Sequence, residues 1–141
     1  DMKQSEFEFE TFGPGLTEIT GHVADWVQRE STSQHGLLTL FVRHTSASLL
    51  IQENADPDVQ RDFLAYLERM VPQADMPAMS YLRHRSEGPD DMPAHIKAAL
   101  LPTHLSIPVV AGQMALGTWQ GVFLVEHRTA PHNRRIRAVL T

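Results

Sequence analysis

Residues 6–12 run Glu-Phe-Glu-Phe-Glu-Thr-Phe, a period of two with one apolar face. That alternation predicts a β-strand, ended by Gly13-Pro14-Gly15. Ile19, Val23, Trp26 and Val27 then fall at i, i+4, i+7 and i+8, the spacing of an amphipathic helix, with Thr17 or Thr20 placed to cap it. A polar turn spans 31–36. Dense apolar runs of strand length follow at 37–42 and 48–52, so Arg43-His44-Thr45-Ser46 lies in the connection between two strands. Asp56-Pro57-Asp58 is a strong helix start: a capping carboxylate, a proline in the first turn, and an acid near the positive end of the helix dipole. Val59, Phe63, Leu67 and Met70 continue that helix until Pro72 closes it.

Residues 72–93 hold four prolines and little periodicity, which makes an unusually long ordered loop. At about Pro93 the loop runs into a short helix, 94–101, with Asp90 or Asp91 as its cap and His95 in its first turn. Strands are predicted at 105–110, 113–116, 119–126 and 135–140, separated by Gly112, Gly117 and a Pro131-His132-Asn133 turn. The fold class that follows is α+β: a single domain over 1–141, a largely antiparallel sheet or sandwich, and two to three helices. Val122, Phe123, Leu124 and Val125 are consecutive and apolar, more than one buried sheet face needs, which points to a partner surface.

Composition narrows the function classes. The chain has 141 residues with 42% hydrophobic and 21% charged, ordinary for one globular domain. Its net charge is −5, without a basic block longer than Arg134-Arg135, which disfavours nucleic acid as a partner. No apolar run approaches the roughly 20 residues of a membrane span, and no signal peptide is visible, so no membrane partner and a cytoplasmic location are expected. With no cysteine, only His, Asp and Glu remain as metal ligands. The eight histidines are the unusual feature.

Three stretches carry candidate chemistry. His84 to Lys97 brackets Glu87, Asp90 and Asp91 between two histidines on a proline-stiffened loop. Imidazoles and carboxylates so placed suit a divalent metal or a phosphate; the plain alternative is a solvated acidic loop. His44-Thr45-Ser46-Ala47-Ser48 sets hydroxyls beside an imidazole, fit either for phosphate or for a turn that satisfies its own backbone. Gly112 to Gly121 places three glycines within ten residues, a sign of bulges or close backbone approach, with Trp119 expected in the core and Gln120 facing the other side. Glu126 closes the next strand beside His127 and Arg128, where a salt bridge to Arg128 is the simplest role. No phosphate-binding glycine loop, nucleophile elbow, dinucleotide fingerprint or zinc-protease motif is present.

Three stretches in order, HTSASLLIQENADPDVQRD (44–62), EGPDDMPAHIK (87–97) and LSIPVVAGQMALGTWQGVFLVEHR (105–128), resemble the YjbQ-like family, also described as the secondary thiamine-phosphate synthase family. The likeness spans about 12–141 and includes the G-x4-GTWQ pattern. It implies a compact α+β domain assembled as a homotrimer, with a metal or anion site on His44, His84 and His95. It also implies thiamine-phosphate synthase activity, in which a thiazole phosphate nitrogen displaces pyrophosphate from a hydroxymethylpyrimidine diphosphate. In that reading His95, Asp91 and Glu126 are the catalytic candidates. Thr45, Ser46, Ser48, Lys97, Thr118 and Gln120 would bind the small phosphorylated molecule. A divalent metal, Zn or Mg, would be the cofactor. The second reading keeps the site and drops turnover: a metal- or anion-binding protein.

Overall fold

The structure is a computed structural model that describes residues 2–32 and 34–141. Ser33, within the turn predicted at 31–36, lies outside the described residues. The elements in order are β1 (Lys3–Thr11), β2 (Gly15–Glu18), α1 (Thr20–Glu30), β3 (His35–Val42), β4 (Ala47–Glu53), α2 (Pro57–Met70), α3 (Asp91–Leu100), β5 (His104–Val110), β6 (Gln113–Met114), β7 (Gln120–Glu126) and β8 (His132–Leu140). Every pairing is antiparallel, in two sheets ordered β1-β8-β3-β5-β6 and β2-β7-β4. The fold is a single α+β domain.

The main core is drawn from both sheets and α1: Ile19, Val23, Trp26 and Val27 of the helix meet inward residues of β3, β4, β5, β7 and β8. Val122 and Leu124 of β7 belong to that core. Phe123 and Val125 alternate to the opposite face and are also fully buried. The buried apolar residues left to cover them are Leu67, Val71, Ala74, Met79 and Ala94, from α2, α3 and the segment between. The apolar run in β7 is therefore consumed inside the chain, and the surplus surface expected there is absent. Exposed apolar side chains lie elsewhere, at Phe41, Tyr66, Met70 and Leu100 among others. Among the described residues no helix is long and apolar enough to cross a membrane.

Local chemistry explains where pattern and structure part. The Gly-Pro-Gly segment hides β2, whose four residues pair with β7 from Gly15↔Glu126 to Glu18↔Phe123. Four residues are too few to show a period. Thr20 does not cap its own helix; its hydroxyl accepts the Val122 N–H (2.8 Å) and donates to Glu18 (2.8 Å), tying α1 to β7. Asp56 does cap α2, accepting the Asp58 N–H at 2.9 Å. α3 begins at Asp91 rather than 94, and Asp90, at its N-cap, makes no cap bond because Arg128 and Thr129 occupy its carboxylate. Trp119 is 63% exposed rather than in the core, since it precedes β7 in a turn. The predicted close approach is at Gly121, where a Cβ would lie 2.6 Å from a Glu18 oxygen and 2.9 Å from Asn54 Cβ.

A candidate metal centre at the start of α3

Asp91 is the first residue of α3 and His95 lies four residues on, so both side chains share one helix face. His84 reaches them from the preceding loop. His84 Nε2 is 2.7 Å and His95 Nε2 3.2 Å from the same oxygen, Asp91 Oδ2. The two imidazoles stand 5.7 Å apart between centroids. One donor atom from each of the three residues falls within 4.8 Å of the others. Glu87 stands near as well, with Oε2 3.7 Å from His84 Nε2.

The surrounding contacts hold this set in place. His95 Nδ1 is 2.9 Å from the Thr45 carbonyl, which can only accept, so that nitrogen carries a proton and Nε2 is the atom turned to the centre. Arg128 reaches Asp91 Oδ1 with Nη1 (2.6 Å) and Asp90 Oδ2 with Nε (2.9 Å). Asp90 Oδ2 also accepts the Thr129 N–H (2.9 Å) and hydroxyl (3.1 Å). Burial acts to raise the Asp91 carboxyl pKa. The His84 hydrogen bond and the charges of His95 and Arg128 outweigh it and hold the group below the usual range. The Arg128 guanidinium is held more firmly charged, chiefly by its hydrogen bond to Asp90.

A cavity of about 880 Å³ opens beside the centre. Its walls include Phe41, Met92, Ala98 and Ala99; His84 and His95 form a polar edge, and Arg43, from beyond β3, brings a guanidinium that also pairs with Glu6 at 2.7 Å. The volume lies within the range of small-molecule sites, and an apolar wall with a few convergent polar groups is their usual make-up.

Several candidate residues lie away from the metal-ligating set. The His44 ring lines the cavity wall, but its Nε2 accepts the Arg135 N–H at 2.8 Å, and within this one chain the ring is outside the three-residue donor set. Thr45 lines the cavity and lends its carbonyl to His95. Ser46 and Ser48 are buried: the Ser46 hydroxyl accepts from Arg134 (2.9 Å) and Ser48 pairs with His127 Nε2 (2.9 Å), so neither offers a hydroxyl to the cavity. Thr118 and Gln120 are exposed. Gln120 opens the seven-residue β7 and Glu126 closes it, which puts the GTWQ turn about 20 Å from the Glu126 end.

The expected pairing of Glu126 with the Arg128 side chain is not formed. Glu126 binds Arg134 instead, with Nε at 2.7 Å, and takes further donors from Thr11 and the backbone N–H groups of His127 and Arg128. With five donors on two oxygens it has no lone pair left for a metal or a proton. Lys97 points from the opposite side of α3 to Glu68, 3.1 Å away. Arg43 and Arg128 are the contributors that sequence spacing does not reveal. Arg128 lies 37 residues from Asp91 along the chain, and nothing local marks the pair.

His127 offers a test of this packing. Burial, with the Lys97 charge next, pushes its pKa down from 6.5 to about 4. The folded ring is neutral and the unfolded ring takes up a proton. The stabilisation is therefore complete above pH 6.5 and is lost as the pH falls towards about 4, by up to roughly 3 kcal/mol. His44, lowered mainly by burial, acts in the same direction. Urea midpoints should fall across that window in the wild type and fall less in His127→Gln. Equal slopes in the two proteins would contradict it.

Comparison with known proteins agrees with this architecture. The family model described as UPF0047 protein YjbQ-like matches residues 5–141. A Synechocystis relative, UPF0047 protein sll1880, is 54% identical over 126 residues, covering 89% of this chain and 82% of that protein. The Escherichia coli O157:H7 protein YjbQ is 47% identical over 105 residues, 74% of this chain and 72% of that one. A Clostridium acetobutylicum crystal structure of the same family superposes with a TM-score of 0.84 at 33% identity, covering 97% of this chain and 99% of the other. On the match of nearly its whole length, the chain belongs to the UPF0047 protein YjbQ-like family.

Proposed function

We propose that the protein is a transferase of thiamine-phosphate synthase type, joining a phosphorylated thiazole to a pyrimidine diphosphate at a metal centre. The observation that carries this reading is the convergence on buried Asp91 of His84 and His95, two imidazoles that edge an apolar cavity wide enough for two heteroaromatic rings. Two imidazoles and one carboxylate fit a borderline ion such as Zn²⁺; Mg²⁺, which prefers oxygen, fits less well. A bound ion would neutralise charge gathering on the departing pyrophosphate. The chain's own groups do the rest. Arg43 offers a guanidinium to phosphate, Phe41 and Met92 flank the rings and exclude water, and Arg128 fixes the direction of Asp91.

Among the described residues the cavity lining contains no carboxylate. That suits this reaction, because a thiazole nitrogen attacks with its own lone pair and bond formation needs no general base. The same feature also supports the second reading, a protein that binds metal or anion without turnover. We further propose a homotrimer, supported by the family resemblance and by exposed apolar side chains such as Phe41 and Leu100.

Purified protein with both precursors and Zn²⁺ or Mg²⁺ should form thiamine phosphate slowly, with a light-scattering mass of three chains. His95→Ala should lower the rate at least 100-fold while circular dichroism stays unchanged, the loss expected when positioning and charge stabilisation are both removed. An unchanged rate in His84→Ala and His95→Ala would place the activity elsewhere. Metal binding without product would select the second reading, and a monomer mass would remove the trimer.

A further inference from the structure

The residues that fall away from the metal centre gather elsewhere. A second cavity, of about 340 Å³, lies between α2, α3 and the end of β7, with Pro14, Leu64 and Leu67 as apolar walls and Lys97, His127 and Glu68 as polar lining. Lys97 is two residues from His95, about 200° around the helix, so the two sites open on opposite faces of α3. We propose that this cavity binds a small oxyanion, a carboxylate or phosphate monoester on a short apolar body, with Lys97 as its charge partner.

The charges inside the cavity lead to that ligand. Glu126 also lines it, but its carboxylate is saturated by five donors and neutralised by Arg134. What remains is the Lys97 ammonium, whose side chain is only 6% exposed, and one counter-ion, Glu68, which is 54% exposed. A buried ammonium requires an anion beside it, and it carries three N–H donors of which Glu68 uses one. Glu68, more than half exposed and on a flexible side chain, is a partner that water competes for and a bound anion can displace. An oxyanion seated in the cavity can take its place beside the ammonium, a carboxylate with the same charge and a phosphate monoester with more. His127 lies in the same lining, 2.9 Å from Ser48 through Nε2, and presents its ring to the ligand. A nucleophilic role for this serine–histidine pair does not follow, because Ser48 is fully buried and does not line the cavity.

Titration with butyrate and, separately, with methyl phosphate, followed by amide chemical shifts, tests the proposal. Saturable shifts at Leu64, Leu67, Lys97 and His127 with either probe support it, and the probe that binds names the oxyanion. The same shifts should persist in His84→Ala, which disables only the other site. Lys97→Met should weaken binding at least tenfold, and Glu68→Gln should tighten it several-fold by removing the competitor. No saturable shift at tens of millimolar, equal binding in Lys97→Met, or loss in His84→Ala would overturn it. If Lys97→Met does not fold, Glu68→Gln decides: unchanged or weaker binding there is equally fatal.

Discussion

Glu126→Gln is expected to lower the unfolding free energy by about 3–5 kcal/mol, because it strands the buried Arg134 guanidinium without its counter-ion. Both side chains are almost fully buried, 1% and 3% exposed, so water cannot replace the lost partner. Arg134 also donates to the Ser46 carbonyl and hydroxyl, and Glu126 fixes the backbone N–H groups of His127 and Arg128. The change therefore loosens the turn that aims Arg128 at Asp91 as well as the core. Urea unfolding checks the number. The double variant Glu126→Met with Arg134→Met should lose less than the single one, because it leaves no unpaired charge. A single-variant loss below about 1 kcal/mol would mean that the pair is open to solvent.

Zinc titrated into the wild type is expected to bind at one ion per chain. Asp91→Ala should weaken that binding at least 100-fold, or about 2.7 kcal/mol, since it removes the oxygen that both imidazoles face. Arg128→Met, which leaves the three ligands in place, should cost about 10–100-fold, the range for a residue that orients a ligand. His44→Ala should leave the affinity unchanged if the donor set is His84, Asp91 and His95. A loss in His44→Ala as large as in Asp91→Ala would instead restore the histidine triad implied by the family resemblance. Calorimetry on metal-stripped protein separates these outcomes.

Much of the chain's organisation is legible in its sequence, wherever a local rule operates over several residues. Alternation locates β1, the apolar spacing locates α1, and Asp56-Pro57-Asp58 marks the start of α2 within a residue. The loop from His84 to His95 stands out because so many polar groups on a proline-stiffened segment have no place in a core. Two of its histidines and Asp91 do come together, helped by the four-residue spacing of Asp91 and His95 on one helix.

Pairings between distant residues are decided by the tertiary structure. Glu126 turns to Arg134 rather than to the neighbouring Arg128 because β7 and β8 bury them together, and Arg128 is thereby free for Asp90 and Asp91. Ser46 and Ser48 look like anion ligands by residue type, but both are buried, Ser46 in the bend before β4 and Ser48 within it, where Arg134 and His127 take their hydroxyls. Lys97 belongs to the same helix as His95, yet serves a different cavity because two residues turn a helix by about 200°. Residue type and local period determine which elements form and which chemistry is available. Which groups meet depends on sheet register and helix rotation, and these are set by the long-range burial of apolar faces.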